Sequence, residues 1–225
     1  MLPMAFLFAE KKTLQNVEQF RLGAKQALVD SENITQVTAQ FLASFARQEW
    51  ISFFWFYSSQ YAYFGRWLQQ LWAESLAKSQ NRQGGAPPRV STPMWALGSC
   101  DQHSLLQQLM EGDRDKFVIF TSVKQIESDI CGLQETQIPA HQFFLKRSMG
   151  QLIKAQSIGT SQALNQQNVS TLRLQILDLS CQSFGYQMMF WQLVVSTLGE
   201  CLDINAFDQP GVELGKSLAR EILQS

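Results

Sequence analysis

The sequence is poor in charge: only 16% of its 225 residues are Asp, Glu, Lys or Arg, 18 basic against 19 acidic, for a net charge of −1. Without a basic tract, electrostatic binding to nucleic acid or to an anionic membrane surface is not expected. Histidine is scarcer still. His103 and His141 are the only two, and neither stands at ligand spacing from the other or from a cysteine, so no metal site is expected. The four cysteines, Cys100, Cys131, Cys181 and Cys201, form no CxxC pair, and the opening MLPMAFLFAEKK has its lysines after the apolar run, unlike a secretory signal. Free thiols in a reducing cytoplasm are the expectation. Long hydrophobic runs are missing too: Trp50–Tyr57 and the segment around Met188–Val195 are too short to span a bilayer, which predicts a soluble chain.

What is present is apolar and aromatic. Hydrophobic residues reach 45% and aromatic residues 12%, with 16 Phe and 6 Trp, which excludes intrinsic disorder and is a large apolar load for a solitary domain. Either uncharged polar residues cover much of the surface, or part of the apolar surface faces a partner. From Leu2 to Arg47 the pattern is helical, with a turn-like Asp30-Ser31-Glu32-Asn33 between two periodic runs. Trp50–Tyr57 is a nearly continuous aromatic run, as in a strand buried on both faces. A helix over about Gln60–Lys78 follows, then a Gly84-Gly85-Ala86-Pro87-Pro88 loop and a short strand, Met94–Leu97. After it come a helix from Asp101 through Met110 and the clearest strand, Lys116–Val123. A polar stretch, Glu127–Gln137, precedes a helix over about His141–Leu164, a strand over Ser170–Leu177, and helices over roughly Cys181–Leu198 and Pro210–Leu223. Strands alternating with helices predict a three-layer α/β/α fold on a mostly parallel sheet. The strand order is not readable, and the opening on a helix suggests that a first strand is missing.

Few motifs carry chemistry by themselves. Gly211-Val212-Glu213-Leu214-Gly215-Lys216-Ser217 has one residue too few for a phosphate-binding P-loop and follows no strand. Asp101 suits a helix cap, which puts His103 in the first turn, where the helix dipole favours a neutral imidazole able to accept a proton. That turn follows a strand, at the carboxyl edge where open α/β sheets collect ligands. Gln70 and Glu74 are four apart and project from one helix face. Gly159, inside a helical pattern, marks a possible close-packing point.

Three blocks together carry a resemblance. Gln70-Leu71-Trp72-Ala73-Glu74-Ser75-Leu76-Ala77-Lys78 resembles a Q-x-x-x-E-S-x-G-K segment. Gly98-Ser99-Cys100-Asp101-Gln102-His103 resembles a G-x-x-x-Q-H segment, and Phe207-Asp208-Gln209-Pro210-Gly211-Val212-Glu213-Leu214-Gly215-Lys216 resembles the signature F-x-Q-x-G-V-E-x-G-K. All three, in this order, are those of the glucose-6-phosphate isomerase family. The resemblance implies a sugar-isomerase (SIS), flavodoxin-like domain over 1–225, with flanking helices over about 1–48 and a C-terminal helix over about 210–223. It implies reversible interconversion of glucose 6-phosphate and fructose 6-phosphate through a cis-enediol, with no cofactor. Glu74 would be the proton-transferring base, His103 and Lys216 would assist ring opening, and Gln70 and Gln209 would contact the phosphosugar. It further implies a homodimer in which the histidine comes from the neighbouring subunit.

Two departures from the family pattern stand out. Ala77 occupies a position where the family has glycine, a source of strain if the backbone there needs φ > 0. The family's N-terminal SIS domain, with its phosphate-binding loop and G-G-R-[FY]-S segment, has no counterpart here; Leu2-Pro3-Met4-Ala5-Phe6 resembles the stretch after that arginine. The expectation is a C-terminal portion, inactive alone. The alternative is a non-enzymatic phosphosugar-binding module.

Overall fold

The computed structural model describes residues 12–124 and 134–224. The opening apolar segment, Cys131 and most of the polar stretch after Glu127 lie outside the described residues. Among the described residues four strands, β1 (Ile51–Phe56), β2 (Thr92–Leu97), β3 (Lys116–Val123) and β4 (Ser170–Ile176), form one all-parallel sheet in the order β2-β1-β3-β4. Helices α3 (Ala62–Leu76), α4 (Gln102–Glu111) and α5 (Met149–Gln166) link successive strands. Helices α1 (Lys12–Leu28) and α2 (Ser31–Ala46) precede the sheet, and α6 (Cys181–Cys201) and α7 (Glu213–Gln224) follow it. The expected α/β/α layering holds.

The aromatic run of β1 is explained by its central position. Phe54 and Phe56 point into a core built with Phe41 of α2, Leu68 and Trp72 of α3, and Trp191 of α6. The alternate residues Phe53, Trp55 and Tyr57 enter a second core with Phe120, Leu109 of α4 and Leu164 of α5. A strand with helices on both sides has no wet face, so every position of β1 but the buried Ser52 is apolar. The β4 strand lies at an edge and is only partly buried, which matches its weaker alternation.

Local chemistry sets the helix ends. The turn-like tetrad is in fact a helix start: the Asp30 side chain caps α2 by accepting the Asn33 N–H at 3.3 Å. Helix α5 begins at Met149 rather than His141, because Ser148 and Gln151 form a capping box and Pro139–Phe144 closes into a separate 3₁₀ turn. Asp101 does not cap α4; its carboxylate turns back to accept the Leu97 N–H at 2.7 Å, tying the turn to the end of β2. Gly159 is no packing point, since a Cβ there would meet nothing within 4 Å. The close-packing glycines are Gly23 and Gly185, where α1 crosses α6: a Cβ on Gly185 would lie 2.0 Å from the Phe20 carbonyl oxygen. Among the described residues no helix is long and apolar enough to cross a membrane, and Cys100, Cys181 and Cys201 are free thiols.

Candidate active site

Glu74 lies on the last turn of α3 and is half-buried. Both of its carboxylate oxygens are engaged. Gln70, one helical turn earlier, donates Nε2 to Oε1 at 3.0 Å, and Gln209 donates Nε2 to Oε2 at 2.8 Å. Amide donors orient a carboxylate without supplying a proton, and each oxygen keeps a second lone pair for another partner. Ala77 ends the helix at φ −78°, ψ 104°, extended backbone that any residue adopts, so alanine brings no strain here.

The link between the Gln70–Glu74 pair and the Gln209 loop is Lys78. Its side chain is only 6% exposed; Nζ donates to the Glu74 carbonyl at 2.9 Å, pairs with the Asp208 carboxylate at 3.1 Å and also contacts the Asp208 carbonyl. The other Asp208 oxygen accepts from Asn205 Nδ2 at 2.9 Å. Beside these groups runs a cleft of about 500 Å³, lined by Lys78, Asn81, Arg82, Asn205, Asp208 and Pro210. Its rim is held by Arg82, which grips Glu200 at the end of α6 with Nη1 to Oε2 at 2.6 Å and a second nitrogen on the other oxygen. That grip holds the Glu200 carboxyl below its ordinary pKa. The sequence pattern does not single out Lys78 and Asp208, although both stand inside the quoted motifs.

The expected residues do not all meet. Gln70, Glu74 and Gln209 converge. Lys216 follows Gln209 by seven residues, on the first turn of α7 and exposed, beyond the Pro210–Val212 3₁₀ turn. His103 is elsewhere. Trp72, one turn before the end of α3, donates Nε1 at 3.2 Å to the carbonyl of Ser91, the residue just before β2, and Ser91 Oγ lies 2.6 Å from Ser52 Oγ near the start of β1. Glu74 therefore sits at the amino edge of the sheet. The turn bearing His103 follows the last residue of β2, and Gly98 packs on the ring of Tyr57 just past the end of β1. Glu74 and His103 occupy opposite edges, separated by the length of a six-residue strand, roughly 16 Å.

At the His103 edge the polar groups are few and tightly joined. Buried Gln102 donates Nε2 to Thr160 Oγ1 of α5 at 2.5 Å and to the Tyr57 hydroxyl at 3.4 Å. Burial pushes the Tyr57 phenol up to about 12, moderated by its hydrogen bonds to Thr160 and Gln102, so it stays a neutral hydroxyl. His103 itself is exposed.

A family model described as phosphoglucose isomerase matches residues 34–225. The chain belongs to the phosphoglucose isomerase family. A glucose-6-phosphate isomerase of Campylobacter jejuni is 36% identical over 176 residues, 75% of this chain and 41% of that protein. Another, from Thermus thermophilus, is 30% identical over 223 residues, 99% of this chain and 52% of that protein. The fold matches the crystal structure of hypothetical protein TT0462, also from Thermus thermophilus, with a TM-score of 0.83 at 28% identity, covering 92% of this chain and 50% of that one. It also matches a glucose-6-phosphate isomerase from Chlamydia trachomatis at 0.72 and 24% identity, over 93% of this chain and 43% of that one, a likeness of fold alone. The chain thus spans about half, or less, of the length of these phosphoglucose isomerase relatives.

Proposed function

We propose that the chain, as a sugar-isomerase domain over 1–225, supplies the proton-transfer part of a glucose-6-phosphate isomerase active site. The observation that carries this is the Glu74 carboxylate, held on one oxygen by Gln70 and on the other by Gln209 beside an open cleft. Glu74 removes the C2 proton of open-chain glucose 6-phosphate and returns it to C1. The O2 proton passes to O1, and the cis-enediol becomes fructose 6-phosphate. A fixed carboxylate serves both directions, and such a general base contributes about 10²–10⁴-fold. Gln70 and Gln209 trade part of their grip on Glu74 for substrate hydroxyls, and Lys216 offers positive charge to a ring or phosphate oxygen. No cofactor enters this chemistry.

His103 assists ring opening in a site made by two copies of the chain. Support comes from the sheet: Glu74 and His103 stand at opposite edges of one domain, which fits a histidine supplied by a second copy. The phosphate clamp comes from the part of the relatives that this chain does not cover. The free thiols Cys100, Cys181 and Cys201 fit a reducing, cytoplasmic setting.

The test is a coupled isomerase assay on two proteins: the 225-residue chain alone, and the chain joined to the portion of the Thermus thermophilus relative it leaves uncovered. The chain alone is expected to show little or no turnover, and the joined protein to turn over. Near full turnover by the chain alone overturns the division of labour. Calorimetric binding of fructose 6-phosphate by a joined protein that never turns over favours the non-enzymatic phosphosugar-binding module.

A further inference from the structure

His103 is exposed, yet ring opening needs an imidazole held at a fixed place. Three features immobilise the turn that carries it. Gly98 lies so close to the Tyr57 ring that a Cβ would fall 2.5 Å from it, which makes the end of β1 the floor of the loop. The Asp101 carboxylate accepts the Leu97 N–H and leaves the helix start without a side-chain cap. Gln102 then takes up the holding role from inside: its buried amide bonds Thr160 and Tyr57 at once, joining the first turn of α4 to α5 and β1. Adjacent positions on a helix point about 100° apart. With Gln102 anchored inward, His103 is turned out of the domain.

We propose that Gln102 is a positioning residue for His103, acting through the buried Gln102–Thr160–Tyr57 triad to present the imidazole to the second copy of the chain. This rests on the proposed role of His103 in ring opening. Gln102 never touches substrate; its amide is satisfied inside the fold. The triad joins three elements that each arrive from a different part of the sequence, so the direction of His103 is set by the domain rather than by its own loop.

The first experiment uses the 225-residue chain alone and needs no activity. In Gln102→Met, which keeps the side-chain length and removes the amide, NMR relaxation of the His103 imidazole should show larger fast motion, while His141 in its 3₁₀ turn is unchanged. Thr160→Val should do the same in milder form, and Thr160→Ser, which keeps the hydroxyl, should restore wild-type behaviour. The second uses the joined protein: Gln102→Met should lower kcat by about tenfold or more at unchanged KM, yet add nothing when His103 is already Asn. If His103→Asn leaves turnover intact, the role given to the histidine fails, and with it the basis of this proposal. If His103→Asn is impaired but Gln102→Met slows the enzyme equally in that background, or leaves His103 motion unchanged, Gln102 is only structural and the proposal is overturned.

Discussion

Gln209 donates its side-chain amide to Oε2 of Glu74 at 2.8 Å, across 135 positions of sequence. The loop from Asn205 to Gln209 is thereby tied to the end of α3, and Lys78 repeats the tie one turn later through Asp208. One carboxylate and one ammonium hold together segments that lie far apart along the chain.

Glu74→Gln in the joined protein should lower turnover by about 10²–10⁴-fold, because the amide cannot carry the C2 proton, with substrate affinity kept. Gln209→Leu leaves Glu74 in place and removes one hydrogen bond to its charged carboxylate, worth about 1.5–3 kcal/mol, so about a ten- to hundredfold loss is expected. A coupled assay with a binding titration checks both; unchanged turnover in Glu74→Gln removes it as the base.

Lys78→Met should destabilise the chain by about 1.5–3 kcal/mol, the range for hydrogen bonds to charged groups, since the Asp208 carboxylate and two carbonyls lose their shared donor. Asp208→Asn keeps the carbonyl contact and should cost less. Urea midpoints at constant slope separate the two; equal costs would show that the ion pair, and not the backbone contacts, holds the loop.

Gly185→Ala pushes a methyl into the Phe20 carbonyl and should cost about 1–3 kcal/mol or more as α1 and α6 move apart. Gly159→Ala places its methyl in open space inside α5 and should gain about 0.5–1 kcal/mol from helix entropy alone. Thermal midpoints moving in opposite directions are the expected result, by about 2–4 °C per kcal/mol for a chain of this size.

The Tyr186 hydroxyl and the Asn33 side chain both donate to Asp30, which holds its carboxyl below the ordinary value, Tyr186 being the larger cause. A folded pKa below the unfolded one means that this stabilisation is complete above about pH 4 and is lost as the pH falls through the folded value. Tyr186→Phe should move the Asp30 titration upward toward the ordinary value, followed by carboxyl ¹³C shifts, and flatten the acid limb of stability. An unmoved titration would assign the shift to Asn33 instead.

How much of this is written in the sequence depends on how local its cause is. The β1 and β3 strands are legible because two covering helix layers demand continuous apolar runs. The start of α5 is easily misplaced because Phe143, Phe144 and Leu145 continue an apolar pattern, while the deciding signal, Ser148 with Gln151 three residues on, is a pair of polar side chains. Strand order is closed to inspection, since all four strands are parallel and pairing follows from long-range packing. Glu74, Gln70 and Gln209 are marked by motif, but their meeting is not. Lys78 escapes because a lone lysine after a helix reads as solvated until Asp208 is placed over it. Gly159 and Gly185 look alike in sequence, and only the crossing of α1 over α6 tells them apart.

The placement of Glu74 and His103 at opposite edges of one sheet has a consequence in genetics. In a site built from two copies, a chain altered only at Glu74 still lends a sound histidine, and a chain altered only at His103 still lends a sound base. Two alleles that each fail alone should then complement one another in the same cell, and a single chain carrying both changes should rescue neither.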